Sequence, residues 1–447
     1  MPADAQQIRQ GTAPHGAEQL IRAIGPWGLG ATAVNGAIGA GIFVLPGLVA
    51  AILGPAAIVA YLICGVALAL VLTCFVEIGS FVQRSGGSVA YIEEAFGPMA
   101  GFLGWLVYSG GVILSSAALG TVLVASAAVS LWPALAHGMP RAVALFVLYG
   151  TLALVNIRGV RQGLRLAVTL TIAKLAPLLF VIVGGALAMH WQHLRWSGWP
   201  PMSNFGRAAL LLFFAFQGSE DALTPSGEIR DPARTVPRAI FGATTALILI
   251  YASLQVVSQG VLGAALAHQS LEPLAAVARH VAGAGGGTLL RAGLTLSIFG
   301  LLSGRLLNAP RAFFRIARDG MLPAALARVH PRFRTPDRAI LTVAALMFLA
   351  AVTGEFRRLA VLSSVSFLTL YLGVCLAALR LRYTRLRQPG AFRAPGGPLV
   401  GVLGIMIVLW LLAHSTLAEL ATMTGMLAAA AAYYAGRTRW RGRKLKI

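Results

Sequence analysis

Long apolar stretches recur along the chain, and about twelve of them could span the roughly 30 Å of a bilayer's hydrocarbon core as helices. They run over approximately 26–51, 55–82, 100–131, 141–157, 164–188, 207–226, 238–263, 286–317, 338–353, 357–380, 396–413 and 416–436. The longest connections are roughly 83–100, 189–206 and 318–337, so no soluble domain is expected. Residues 26–436 read as one integral domain between a tail over 1–25 and a basic tail over 437–447. The first 25 residues carry Asp4, Arg9, Glu18 and Arg22 without an apolar core, so a cleavable signal peptide is not expected.

Glycine interrupts two of these stretches at a depth where a membrane helix should be continuous. They are Asn35-Gly36-Ala37-Ile38-Gly39-Ala40-Gly41-Ile42-Phe43 and Phe214-Ala215-Phe216-Gln217-Gly218-Ser219-Glu220-Asp221. In hydrocarbon every backbone N–H and C=O needs an internal partner, so unwound backbone survives there only where it lines a cavity or binds something. A pair of interrupted helices in corresponding halves of a chain points to a transporter's substrate site. The same glycines also suit close helix packing.

Composition agrees with the membrane reading. The 447 residues are 57% hydrophobic and 11% charged, with a mean hydropathy of +0.78, too little polar surface to cover a soluble globule. A net charge of +22 would ordinarily suggest nucleic acid, but the basic residues are one-sided. With the N-terminus cytoplasmic, 27 Lys and Arg fall in cytoplasmic segments and 7 in outward loops, with Lys174 and Arg305 inside spans. That asymmetry predicts both termini in the cytoplasm and basic loops facing anionic lipid headgroups, with no nucleic acid partner. Cys64, Cys74 and Cys375 all fall in spans and read as packing residues.

Enzymatic signals are weak, and no cofactor is expected. His190 and His193 lie beside Trp191, Trp196 and Trp199 without an acid or cysteine, which favours interfacial anchoring over metal binding. The run Gly283-Ala284-Gly285-Gly286-Gly287 lacks the Lys and Ser/Thr of a nucleotide loop.

Four motifs occur in order along the chain: Gly39-Ala40-Gly41-Ile42-Phe43 with Pro46-Gly47; Glu77-Ile78-Gly79-Ser80 with Ser85-Gly86-Gly87-Ser88; Phe214 to Gly218 followed by Gly227-Glu228-Ile229-Arg230-Asp231-Pro232; and Arg318-Asp319-Gly320-Met321-Leu322-Pro323. Together, over about residues 26–415, they resemble the amino acid-polyamine-organocation superfamily. The resemblance implies an all-α membrane protein of twelve helices with a LeuT-like inverted five-plus-five repeat. Repeat one would cover 26–188 and repeat two 207–380, with 396–436 appended and helices 1 and 6 unwound at mid-membrane. It also implies an amino acid permease working by alternating access in a bacterial inner (plasma) membrane.

The candidate site draws on both readings. Freed N–H groups and the positive dipole end of a half-helix suit a substrate carboxylate, which assigns Gly39, Ala40 and Gly41. Carbonyls at Phe214, Ala215 and Gln217 are candidates for the substrate ammonium, so the pair selects a zwitterion. Lys174 is the only lysine outside the tail and sits mid-span, where a charge is costly. In sodium-independent relatives a lysine there takes the place of sodium; Lys174 is either a proton-coupling group or a fixed tether, within reach of the first break and of Ser297 or Ser303. Glu220 is either a second titrating group or a cap on the half-helix, and Asp221 reads as a helix cap. Glu77 reads as cytoplasmic gate and loop pairing with Arg84, Glu228, Arg230, Asp231 and Arg238, and Glu419 as a snorkelling acid. Arg305 occupies a place where relatives carry a substrate-contacting side chain, and reads as a side-chain fork, a partner for Glu220, or a snorkelling residue. A small neutral L-amino acid carried with protons and without sodium is the leading expectation, with exchange as its rival.

Overall fold

The computed structural model describes residues 24–82, 86–159, 164–195, 198–384 and 392–444. Expectations placed on residues 1–23, Arg84, Ser85, Trp196 and 445–447 lie outside the described residues. The described chain is helical: α1 (Pro26–Ala37), α2 (Gly41–Leu53), α3 (Ala57–Gly79), α4 (Gly87–Phe96), α5 (Pro98–Ser130), α6 (Gly138–Arg158) and α7 (Leu164–Ala188) are followed by α8 (Met202–Phe216), α9 (Pro232–Leu262), α10 (Pro273–Arg318), α11 (Asp337–Thr353), α12 (Phe356–Thr384), α13 (Pro398–Ala413) and α14 (Leu417–Lys444). Among the described residues there is no strand, only an isolated parallel backbone bridge between Ile24 and Ile229.

Five of these helices begin with proline in their first turn, at Pro26, Pro98, Pro232, Pro273 and Pro398. The missing N–H costs nothing there, because the first helical N–H groups have no intrahelical partner. Seven helical runs are long and apolar enough to cross a membrane, or eight when the pair Pro398–Ala413 and Leu417–Arg439, bent by 119°, counts as one. Large apolar side chains on the outer surface, such as Leu187 at 86% and Phe146 at 64% exposed, belong against lipid. The interior is closed around Tyr61, Tyr91, Tyr149, Tyr251 and Tyr371, all nearly fully buried.

Helical segments occur in each of the twelve apolar stretches, interrupted at 38–40 and after Phe216, with three additions. The connection after α3 contains α4, and α14 runs through most of the basic tail. The third is a short arm, 273–281, in front of the body of α10, from which non-helical Ala282 and Gly283 divide it. Hydropathy selects lengths that span lipid, and the two short helices fall below that length.

Packing places the two breaks face to face. Helix α1 lies on α9 and α7, α2 on α8, and α5 touches α4, α10, α11 and α12. Glu77 on α3 pairs with Arg382 on α12, Nη1 lying 2.7 Å from Oε1, and among the described residues no ion pair joins it to Arg230 or Arg238. Glu419 does not snorkel. Its carboxylate accepts the Thr416 N–H at 2.8 Å while the Thr416 hydroxyl accepts the Glu419 N–H at 3.3 Å, a reciprocal cap that starts α14.

Candidate functional site

The first break falls where Gly36, Gly39 and Gly41 remove the side chains that favour continued helix. α1 ends at Ala37, Ile38 turns to an extended conformation, and α2 starts afresh at Gly41. Among the described residues no hydrogen bond reaches the N–H groups of Gly39, Ala40, Gly41 or Ile42. They converge at the positive end of α2, the arrangement that receives a carboxylate.

The carbonyls on the other side of this break are held by side chains from three helices. Lys174 Nζ donates to Asn35 O at 3.3 Å and Ile38 O at 3.2 Å. Ser297 Oγ donates to the same Ile38 carbonyl at 3.1 Å. Lys174 is fully buried, so its ammonium is solvated by the frayed end of α1 in place of water. The Tyr251 hydroxyl lies 3.2 Å from Ala37 O and 3.1 Å from Ala215 O, spanning the two breaks.

The second break is built differently. Gly218 takes φ = 110°, a conformation open to glycine and strained for L-residues, and α8 stops at Phe216. The chain continues as short 3₁₀ turns, Ser219–Leu223 and Ser226–Glu228, in place of a second α-helix. Glu220 Oε2 accepts the Gly218 N–H at 2.9 Å, so this carboxylate caps its own break. The carbonyls of Phe214 and Gln217 receive no hydrogen bond among the described residues, whereas Ala215 O is taken by Tyr251. Gln217 donates to Ser363 Oγ at 2.8 Å, and Phe214 packs edge-on against Phe356.

Gly36 and Gly218 bring the breaks into backbone contact: a Cβ at either would lie 2.5 Å from the other's carbonyl oxygen. A Cβ at Gly41 would meet Ala215 Cα at 2.9 Å, and one at Gly39 would meet Leu301 at 2.9 Å. Close packing and free N–H groups therefore coincide at the same glycines.

Beneath the breaks lies a charged cluster. Arg305 is 6% exposed, and its Nη1 donates to Ser115 Oγ on α5, so the side chain ends inside the bundle and does not snorkel. Tyr108 donates to Asp221 Oδ1 at 2.9 Å. Asp221 thus binds a neighbouring helix and caps none. Arg305 lies within electrostatic range of both Asp221 and Glu220, yet no ion pair joins it to either among the described residues. Its Nε has no hydrogen-bond partner among the described residues.

Tyr251, Ser363, Tyr108 and Ser115 carry no signal in the sequence, because single hydroxyls in apolar helices look like packing residues. His193 Nδ1 lies 2.8 Å from Gly260 O, and no group of three metal-binding side chains exists among the described residues.

Residues 24–435 match the amino acid permease family. The serine/threonine exchanger SteT of Bacillus subtilis (strain 168) is 31% identical over 383 residues, covering 83% of this chain and 85% of that protein. The methylthioribose transporter of the same organism is 28% identical, covering 88% of each chain. Its branched-chain amino acid permease BcaP is 25% identical, covering 90% of this chain and 89% of its own.

Proposed function

The chain belongs to the amino acid permease family, a family of transporters and not of enzymes, and on that premise we propose that it carries amino acids across a bacterial inner membrane by alternating access. The proposal includes twelve spans, an inverted repeat of 26–188 and 207–380 with 396–436 appended, and both termini in the cytoplasm. It rests chiefly on one observation: four free N–H groups at Gly39, Ala40, Gly41 and Ile42 stand across from the unpaired carbonyls of Phe214 and Gln217. Opposite partial charges on two facing breaks bind a carboxylate and an ammonium together, which is the common part of every amino acid.

Lys174, held on Asn35 O and Ile38 O, occupies the place of a bound sodium ion, so transport is sodium-independent. Protons are the coupling ion, with Lys174 and Glu220 as the groups that exchange them. Arg305 lines the side-chain end of the site, and a small neutral L-amino acid is the substrate. The substrates in the relatives' names range from serine and threonine to branched-chain amino acids and methylthioribose, so the family alone does not set the side chain. Exchange of one amino acid for another is the second reading, favoured by the two carbonyls that already satisfy the Lys174 ammonium and make it a fixed tether.

Reconstitution into liposomes with labelled L-serine, L-alanine, L-leucine and L-glutamate tests these readings. Saturable uptake of a neutral amino acid, driven by an inward proton gradient and indifferent to sodium, is the expected result. Uptake that requires internal amino acid establishes exchange, and sodium-driven accumulation overturns the role given to Lys174.

A further inference from the structure

Around the start of α10 the charges form a second node. Glu272, 8% exposed, precedes the short arm of α10, and its Oε1 accepts from Ser126 Oγ on α5 at 2.8 Å. Arg291, on the body of α10, donates Nε–H to both carboxylate oxygens, at 3.1 and 2.9 Å. Arg279 Nη1 lies 3.8 Å from Oε2 on the arm itself.

The arm is folded down on the body of α10 by a break in the helix. Ala282 and Gly283 break the helix, Gly283 at φ = 62°, and the arm folds back onto a glycine face of the body. A Cβ at Gly286 would stand 2.3 Å from Ala278 O, and one at Gly287 would stand 2.6 Å from Arg279 Cγ. Below the node is a small cavity lined by Phe43, Leu274, Leu290 and Leu294, with Glu272 and Arg291 at its polar end. Phe43, two residues beyond Gly41, brings α2, the helix that starts at the first break, to the cavity wall.

The node thus puts a guanidinium at the polar end of a small cavity walled in part by α2. Arg291 here holds a carboxylate, and that carboxylate belongs to a segment hinged at the far end of its own arm. We propose that Arg291 is the outer docking site for the α-carboxylate of incoming substrate, and that Glu272 is a built-in competitor that fills it when the arm is down. This rests on the reading of the chain as an amino acid transporter with this face outward. On lifting, the arm carries Glu272 and Arg279 away, while Arg291 stays with the body of α10. An amino acid arriving from outside then exchanges its carboxylate for that of Glu272 before passing Phe43 to the N–H groups below. A guanidinium suits this transfer, since its charge-assisted hydrogen bonds serve either carboxylate.

A latch and a docking site predict opposite signs. Right-side-out and inside-out vesicles of cells expressing the full chain give KM on the outer and inner sides, with labelled L-serine and L-alanine as probes. Arg291→Gln is expected to raise the ratio of outer to inner KM about tenfold, the scale of one lost charge-assisted hydrogen bond. Glu272→Gln, which removes the competitor, is expected to lower it. Arg291→Lys keeps a charge without the fork and moves the ratio upward by less, which preserves the test should Arg291→Gln fail to reach the membrane. If Arg291 and Glu272 variants shift the ratio in the same direction, or not at all, the node is only a latch and the proposal falls. Absence of uptake of both probes by the unmodified chain, with the full amino acid panel also negative, overturns the transporter reading itself.

Discussion

The two breaks share a cause, glycine in the middle of an apolar helix, but end in opposite electrostatics. After the first break the chain resumes as a full α-helix, so four N–H groups gather at one positive end. After the second it resumes as 3₁₀ turns, and the N–H of Gly218 is closed by Glu220 from within. What remains open there is carbonyl, at Phe214 and Gln217. Which pole a broken helix presents is therefore decided by the conformation in which the chain resumes, and not by the glycine that breaks it.

The comparison is most severely tested where the breaks touch. Gly218→Val is expected to abolish transport, with a loss of folded protein as well, since a β-branched residue at φ = 110° costs about 1–3 kcal/mol in backbone strain. The Cβ would also lie 2.5 Å from Gly36 O. Monodispersity in detergent together with initial uptake rates measures both losses. Gly41→Val comes next: its side chain enters the space of Ala215 and Phe214 and disturbs the N–H cluster, so substrate binding should be lost while the protein still inserts. Near-normal affinity of purified variant would move the carboxylate site elsewhere.

Lys174→Ala leaves Asn35 O and Ile38 O without the ammonium, and only Ser297 still serves Ile38. Uptake should fall at least about tenfold or lose its dependence on pH, read from rates between about pH 5 and 8. A variant with normal pH-dependent uptake would make Lys174 a passenger. The smallest effect is expected at Arg305, whose Nε has no hydrogen-bond partner among the described residues and whose Nη1 rests on Ser115. Arg305→Ala should alter which amino acids compete for uptake more than it alters the rate; an unchanged competition profile would remove it from the side-chain end of the site.

The parts of this site that can be read from sequence are those that break a rule of membrane chemistry. A lysine in hydrocarbon and glycines in the middle of a span stand out because each carries a cost, and Lys174, Gly39 and Gly41 are legible for that reason. Glu220 is visible as an intramembrane acid, but its bond to the Gly218 N–H depends on where its oxygens point. Tyr251 breaks no rule, so its position between Ala37 O and Ala215 O depends on the α1–α9 packing alone. The α4 helix and the arm of α10 escape notice for a matching reason: neither is long enough to cross lipid, so a hydropathy window passes over them. Asp221 misleads because a carboxylate near a helix start suggests a cap, whereas its partner, Tyr108, is 113 residues away in sequence.

The bridge at the foot of α1 adds a mechanical consequence. Ile24 N–H donates to Glu228 O at 3.1 Å, and Arg230 N–H returns a bond to Ile24 O at 3.0 Å. The stem of α1 is thereby yoked to the segment that leaves the second break. A pull on one is shared by the other, as between two levers pinned at two points: once near the middle where Gly36 meets Gly218, and again at the base. A pair fixed at two points resists splaying, so these contacts hold the two poles at a set spacing.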